Sequence, residues 1–364
     1  MRKPFRLLAL LASVVLSVQA ADFQVKGPDG KPLALVMVTR AATQARAVDT
    51  SDNGYAPSGV LQHGTFEYTR FSDARGHVTL PDAPGEYRVR LRKPGFKDRL
   101  IEPAALKQTA SWRMEAETDP KALAEQRPSN AWTSTLLPGR DDLHKEFLAQ
   151  CGFCHQQGSA FLRRERSAQE WETAIQRMVR YGARLSTEAQ KELPALLEAH
   201  WKEINAHPEK VPPATPWTPV LANAAITELP IGDRFSQMHD LLQHSNGLVY
   251  VGDNLQDRLY EIDARTGTYT VYRVPAQRGD AIGGLLAGRL RDFPKHETYQ
   301  GIHSLAEAPR DGHIFITPSY QRRLLEFDPK TKHFSAHAMD SGFYPHTVRV
   351  DAKDRVWFTL ALSN

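Results

Sequence analysis

The chain of 364 residues contains only two cysteines, Cys151 and Cys154, and they stand three positions apart. One such pair cannot form the disulfide framework of a small secreted fold. The residue that follows the pair is His155, so the stretch reads Cys-x-x-Cys-His. Because the motif has a defined chemical use, it constrains the fold around these residues more than any other feature of the sequence does.

Cys-x-x-Cys-His is the attachment motif of haem c. Two thiols three residues apart on a helical turn can reach the two vinyl groups of one porphyrin, and the next imidazole then lies beneath the iron. We therefore expect one covalent haem c per chain, held by Cys151 and Cys154, with His155 as the proximal iron ligand. A redox dithiol is the alternative, but it would belong in a βαβ pattern, which the sequence does not have.

The second axial ligand is predicted to be Met178. Trp171, Met178 and Gly182-Ala183 resemble the pattern downstream of the haem motif in many small bacterial cytochrome c domains. The resemblance implies that the methionine ligates the iron, and a thioether ligand raises the reduction potential. A core methionine is the alternative role, and the other candidate ligands are Met238, His144 and His200.

The first twenty residues predict export. Arg2, Lys3 and Arg6 precede an apolar run from Leu7 to Val18 and small residues that end at Ala20, as in a secretory signal peptide. The run is too short to span a bilayer, and no later segment could do so. We expect a periplasmic protein whose net charge of +4 falls by these three charges to about +1, which argues against a nucleic-acid partner.

Residues 21–116 predict a β-sandwich, because short alternating runs such as Tyr87 to Leu91 are separated by Gly, Pro and Asp turns. The segments 27–33, 72–78 and 84–87, followed by Pro94-Gly95-Phe96, resemble the carboxypeptidase regulatory-like domain. That resemblance implies a stability or docking module without catalysis.

Residues 140–206 predict a small all-α haem domain between two linkers, 117–139 and 207–225. Ser167 and Glu170 form a capping box that opens one helix, and Ser186 caps another that runs to about Ile204. Trp171 and Ile175 lie on one face of the first of these helices.

Residues 226–364 repeat a pattern of short strands. The run from Gly247 is matched by one from Gly312 and by a third near Arg355, and Ile314 and Val356 are 42 residues apart, the period of a propeller blade. These copies resemble the blades of virginiamycin B lyase-type propellers. Because a propeller closes with about four to eight blades, we expect a fragment of a longer chain, or missing blades supplied by a partner.

Three histidines recur at equivalent places in these copies. His239, His303 and His346 each precede a core strand by ten or eleven residues. They are a candidate channel site for a metal or a substrate, with hydrogen bonding between neighbouring blades as the alternative. The lyase resemblance implies a His/Glu set with Mg²⁺, but that set lies in blades that this chain lacks.

The expected fold class is thus multidomain α and β: a β-sandwich, a small all-α cytochrome c domain and a partial β-propeller. The expected function is electron transfer with a periplasmic redox partner protein. The alternative is a propeller enzyme, lyase-like or a dehydrogenase, with the haem as electron acceptor or accessory. No catalytic acid, base or nucleophile stands at a useful spacing, so catalytic residues, substrate, donor and acceptor stay unassigned.

Overall fold

A computed structural model describes residues 21–43, 57–81, 85–152, 156–160, 162–180, 182–232, 236–286, 298–361 and 363. The predicted signal peptide, residues 1–20, lies outside them. The chain divides into two compact units. The first comprises Met1–Thr43, Tyr68–Ala116 and Trp217–Thr227, and the second comprises Gln44–Glu67, Glu117–Pro216 and Glu228–Asn364. Within the described ranges, none of the helices has the length and apolar character needed to cross a membrane.

Strands dominate the described residues. In chain order they are β1 (Ala21–Lys26), β2 (Met37–Ala42), β3 (Leu61–His63), β4 (Glu67–Phe71), β5 (His77–Leu80), β6 (Tyr87–Arg92), β7 (Arg99–Ile101), β8 (Ser111–Arg113), β9 (Ala225–Glu228), β10 (Met238–Gln243), β11 (Val249–Asp253), β12 (Arg258–Asp263), β13 (Thr268–Arg273), β14 (Ile302–Glu307), β15 (Ile314–Pro318), β16 (Arg323–Asp328), β17 (His333–Ala338), β18 (Pro345–Val350) and β19 (Val356–Leu360). The helices are α1 (Pro103–Leu106), α2 (Pro120–Glu125), α3 (Ser129–Thr133), α4 (Asp141–Cys151), α5 (Ala168–Arg180) and α6 (Thr187–Ala206).

The first unit is built from two sheets, of order β5-β1-β8 and β7-β6-β2-β4-β9. Its strands bury alternate residues, as Phe23 and Val25 do on β1, because successive side chains of a strand point to opposite faces. A turn anchored by Asp73, whose Oδ1 accepts the backbone N–H of Arg75 and His77 at 2.8 Å each, leads into β5. These elements enclose one apolar core centred on Val38, Leu80 and Leu91.

The helices of the second unit begin where local capping chemistry predicts. Ser167 and Glu170 form the predicted capping box, with Ser167 N donating to Glu170 Oε2 at 2.8 Å and Glu170 N donating to Ser167 Oγ at 3.3 Å. Ser186 caps α6 by accepting the N–H of Ala189 at 3.0 Å. Helices α2 to α6 bury one apolar core, here called the helical core, whose largest side chains are Trp132, Phe147, Trp171 and Trp201.

Three antiparallel sheets follow one another in the second unit, here called the repeat sheets. The first has the order β10-β11-β12-β13-β3, the second β14-β15-β16-β17 and the third β18-β19. Tyr250, Ile314 and Phe327 are fully buried in the apolar core that the first two repeat sheets share. The strands β11, β15 and β19 hold the repeated sequence motif, so the repeat detected in the sequence corresponds to a structural one.

The fold class predicted from the sequence is wrong. In the described ranges there are five sheets and only six α-helices, three of which span four to six residues. The helical periodicity after residue 140 predicts individual helices correctly, but these helices do not amount to a sizeable all-α cytochrome domain. The three repeat sheets, of which the third has only two strands, give only weak support for a partial propeller.

Candidate functional site

The haem-attachment motif begins at the carboxyl end of helix α4. Cys151 is the last residue of that helix, and Gly152 N donates to Leu148 O at 3.0 Å as the helix ends. Cys151 is half-buried and packs against the helical core. Phe153 and the two other predicted haem-binding residues, Cys154 and His155, lie outside the described residues. The structure therefore describes the start of the motif and the chain on either side of it.

The chain that follows the motif folds back toward its start. Gln157 is buried, and its Nε2 donates to Cys151 O at 2.5 Å. The next residue, Gly158, lies against the backbone of Ser129, the first residue of α3. A Cβ on Gly158 would overlap Ser129 O and would also stand 2.7 Å from Ser129 C, well inside ordinary contact distance. Only glycine fits there without displacing backbone, so the close approach depends on this residue.

Met178 lies on α5, seven residues after Trp171 and three after Ile175, so all three share one helix face. Trp171 and Ile175 are buried in the helical core, whereas Met178 is only half-buried. The helix ends two residues later, at Arg180: Ala183 N donates to Met178 O at 3.0 Å, and Gly182 has a φ of +110°. Glycine suits this turn because it adopts positive φ without steric cost.

Two contacts bring the end of α5 beside the motif. Arg184 N donates to Oε1 of Gln150, the residue before Cys151, at 2.8 Å. Ser186 Oγ donates to Glu146 Oε2 at 2.9 Å, one helical turn farther back on α4. The turn that follows Met178 is thereby tied to the last two turns of the helix that ends at Cys151.

The alternative iron ligands have different surroundings. Met238 lies on β10 and packs against the core of the first repeat sheet, formed by Tyr260, Ile262, Tyr269 and Val271. His144 on α4 and His200 on α6 each have an Nε2 atom that is buried and makes no hydrogen bond with the described residues. Burial, and then the charge of His144, lower the pKa of His200 to about 4. His200 is therefore neutral at physiological pH.

Buried ring nitrogens without an acceptor are concentrated in the helical core. Besides the two histidines, the indole Nε1 atoms of Trp132, Trp171 and Trp201 make no hydrogen bond in the described part of the chain. Buried polar groups are normally paired, and each exception calls for an acceptor from ordered water or a bound group. A haem would bring carboxylate acceptors and an iron that takes an imidazole nitrogen, so the residues around Cys151 fit this group.

The structure brings the three repeat histidines together in one column. His239 lies on β10, His303 on β14 and His346 on β18, each within a break in the strand register. The ring centroids of His239 and His303 are 3.8 Å apart and tilted by 44°, and those of His303 and His346 have the same separation and tilt. The equal spacing in the sequence thus corresponds to the same ring-to-ring contact between each histidine and the next.

Hydrogen bonds join neighbouring repeat sheets along this column. His239 Nδ1 donates to His303 O at 2.9 Å, and the adjacent Asp240 Oδ2 accepts from Ser304 Oγ and Leu305 N at 2.9 Å each. Burial, followed by the charges of His239 and His346, lowers the pKa of His303 to about 3. The imidazoles stack on one another, and the described ranges contain no group of three His, Cys, Asp or Glu side chains that could hold a metal ion. This geometry favours packing between sheets, the alternative role, over a metal site.

Sequence reasoning missed the residues that fix the chain after the motif, Gln157, Gly158 and Arg163. A glycine so close to a haem motif is a usable signal, because glycine permits close backbone approach. Nothing in the sequence distinguishes the buried Arg163 from the exposed Arg164 beside it. Apart from Gly158, the partners of Arg163 come from distant parts of the chain.

Comparison with known proteins gives a limited result. No family model matches the chain, and no curated protein matches it. Among solved structures, it is similar to a catalytically inactive virginiamycin B lyase from Staphylococcus aureus with quinupristin, at 14% identity and a TM-score of 0.29, covering 38% of this chain and 39% of that one. A streptogramin B lyase gives 15% identity, a TM-score of 0.29 and coverages of 37% and 38%.

An auxiliary nutrient binding protein from Bacteroides ovatus gives 14% identity and a TM-score of 0.26, over 37% of this chain and 28% of that one. The chain therefore spans about two fifths of the length of the lyases that it matches. The structural neighbours at this low coverage include virginiamycin B lyases, the type of propeller that the sequence repeats resemble. The comparisons give no support to the resemblances to cytochrome c or to the carboxypeptidase regulatory-like domain, and likenesses this weak carry no conclusion about function.

Proposed function

We propose that the chain is an exported mono-haem c-type cytochrome that exchanges electrons with a periplasmic redox partner protein. The proposal rests on the motif that begins at Cys151. The observation that favours it most is the surroundings of this motif, where a helix end, a folded-back chain and several unpaired buried donors meet.

Each residue has a defined part in the proposal. The thiols of Cys151 and Cys154 hold the haem through thioether bonds, and His155 binds the iron on the proximal side. The haem supplies one-electron chemistry when bound. The protein contributes the ligands, excludes water through the helical core, and fixes the loop that carries the ligands.

Met178 is proposed as the second axial ligand. Its position on the inward face of α5, its partial burial and the link between the following turn and Gln150 all favour it over Met238. His144 and His200 remain the competing ligands, because both have a buried Nε2 with no hydrogen bond to the described residues.

Covalent attachment can be tested directly. Protein produced with the signal peptide in a host that matures c-type cytochromes should keep its haem after denaturation and acetone extraction, and its reduced pyridine complex should have a c-type spectrum. The Cys151→Ala, Cys154→Ala double variant should lose the haem on the same treatment. Haem that is extractable from the wild-type protein, or retained by the double variant, contradicts the proposal.

The partner role can be tested with the same preparation. Reduction of the haem by a small substrate alone would favour the enzyme hypothesis. Reduction only after a periplasmic redox protein is added would support the carrier.

A further inference from the structure

Arg163 occupies an unusual place for a charged residue, because its side chain is only 9% exposed. Arginine is rarely buried to this extent unless its charge is paired. The pairing is with Glu125 at the end of α2, through Nη1 to Oε1 at 2.9 Å and Nη2 to Oε2 at 2.7 Å. This two-bond geometry is specific to arginine, since a lysine ammonium cannot reproduce it.

The same guanidinium also contacts the segment that follows the haem motif. Its Nε donates to Gly158 O at 2.9 Å, and its plane lies over the Trp132 ring, 3.8 Å from the ring centroid. The backbone of Arg163 is fixed as well, because Asn205 Nδ2 on α6 donates to Arg163 O at 3.0 Å. One side chain therefore links α2 and α3 to Gly158, which stands four residues after Cys154.

We propose that Arg163 is a positioning residue for the haem-binding loop, an inference that rests on the proposed function above. Helix α4 and the bond from Gln157 to Cys151 O hold the start of the loop. Arg163 holds its other end by fixing Gly158 O against α3. In the sequence, Cys154 and His155 stand between these two anchors, so both anchors flank the predicted haem ligands.

A structural role alone would change stability, whereas a positioning role would also change the haem. A loosened loop admits water to the iron and stabilises its more highly charged oxidised form, which lowers the reduction potential. Arg163→Lys keeps the positive charge but loses the paired hydrogen bonds to Glu125 and the stacking on the Trp132 ring. Glu125→Gln keeps the shape of the acceptor and leaves the bond from Arg163 to Gly158 in place.

Arg140 provides a matched control. It also pairs with several carboxylates, namely Glu192, Glu188 and Asp142, but it precedes α4, eleven residues before Cys151. Along a helix that separation is about 16 Å. Arg140→Lys should therefore lower stability without affecting the haem.

The experiment compares the wild-type chain of 364 residues with the variants R163K, E125Q and R140K, each purified in folded form. Haem per chain is measured as the pyridine complex, the midpoint potential by spectroelectrochemical titration, and stability by denaturant unfolding. We expect at least threefold less covalent haem and a lower reduction potential in R163K. In E125Q and in R140K, the haem content and the potential should stay near those of the wild type.

Wild-type haem content and potential in R163K, with only a loss of stability like that of R140K, would overturn the inference. If R163K does not fold, Gly158→Ala displaces the same carbonyl and decides the question: a lowered potential supports the inference and an unchanged one overturns it. Failure of the wild-type protein to bind haem covalently would instead refute the proposed function, so the two failures are distinguishable.

Discussion

Replacement of Gly158 by alanine tests the packing around the motif at a single atom. The φ of Gly158 lies outside the left-handed region, so alanine is compatible with the backbone there. In open space this change would stabilise the protein by about 0.4–1 kcal/mol, through the reduced entropy of the unfolded chain. The added Cβ, however, stands 2.7 Å from Ser129 C and 3.0 Å from Ser129 Cα, where ordinary contacts begin at 3.4 Å.

The clash requires a shift of about 1 Å between two backbone segments, because Ser129 O is the atom that the added Cβ meets first. Overpacking typically costs about 1–3 kcal/mol, and the upper end applies because no flexible side chain can move aside. The net loss should be about 2 kcal/mol, or roughly a thirtyfold fall in the folding equilibrium constant. Because Gly158 O is also the acceptor for Arg163 Nε, covalent haem content should fall with stability.

Gly139→Ala is the matched control for this variant. Gly139 has a φ of +79°, and in the described part of the chain nothing beyond its two neighbours lies within 4 Å of an added Cβ, so alanine there costs about 1–2 kcal/mol through backbone strain alone. Denaturant unfolding should show similar losses in the two variants, while the pyridine assay should show less haem only in Gly158→Ala. Wild-type stability and haem content in Gly158→Ala would refute the reasoning about this contact.

Two further predictions concern other parts of the molecule. Met178→Ala should abolish the weak near-infrared band of iron–thioether ligation in the oxidised protein, whereas Met238→Ala should keep it; a band that survives in Met178→Ala moves the assignment to another ligand. The pKa of His303 is about 3 in the folded protein and 6.5 when unperturbed, so between these pH values the unfolded chain binds one more proton than the folded chain. The free energy of unfolding therefore falls as the pH drops through this range, by up to about 1.4 kcal/mol per pH unit. Unfolding curves at several pH values should show a smaller slope in His303→Gln, and an unchanged slope would contradict the assignment.

The sequence predicts features that depend on neighbouring residues better than those that depend on distant ones. The capping box at Ser167 and the helix start at Ser186 are correct, because each is set by hydrogen bonds within one turn. The bond from Arg184 to Gln150 could not be foreseen, since it joins residues 34 positions apart. The fold class is wrong for a similar reason: helical periodicity identifies helices, but it does not say how large a domain they form.

The repeat histidines illustrate how far sequence spacing can go. Equal spacing places His239, His303 and His346 at equivalent positions, and the structure brings them together. Spacing cannot say whether the rings stack or turn their nitrogens toward one point, because that depends on the break in strand register at each histidine.

The stacked arrangement has an electrostatic consequence. Two imidazolium rings 3.8 Å apart would repel each other, and burial of His303 removes the water that could screen them. Burial therefore lowers the pKa of His303 and of His346 and favours their neutral forms. His239 Nδ1 donates to His303 O, so one side chain of the column bonds directly to the next sheet. The column therefore joins neighbouring repeat sheets by both ring packing and hydrogen bonding.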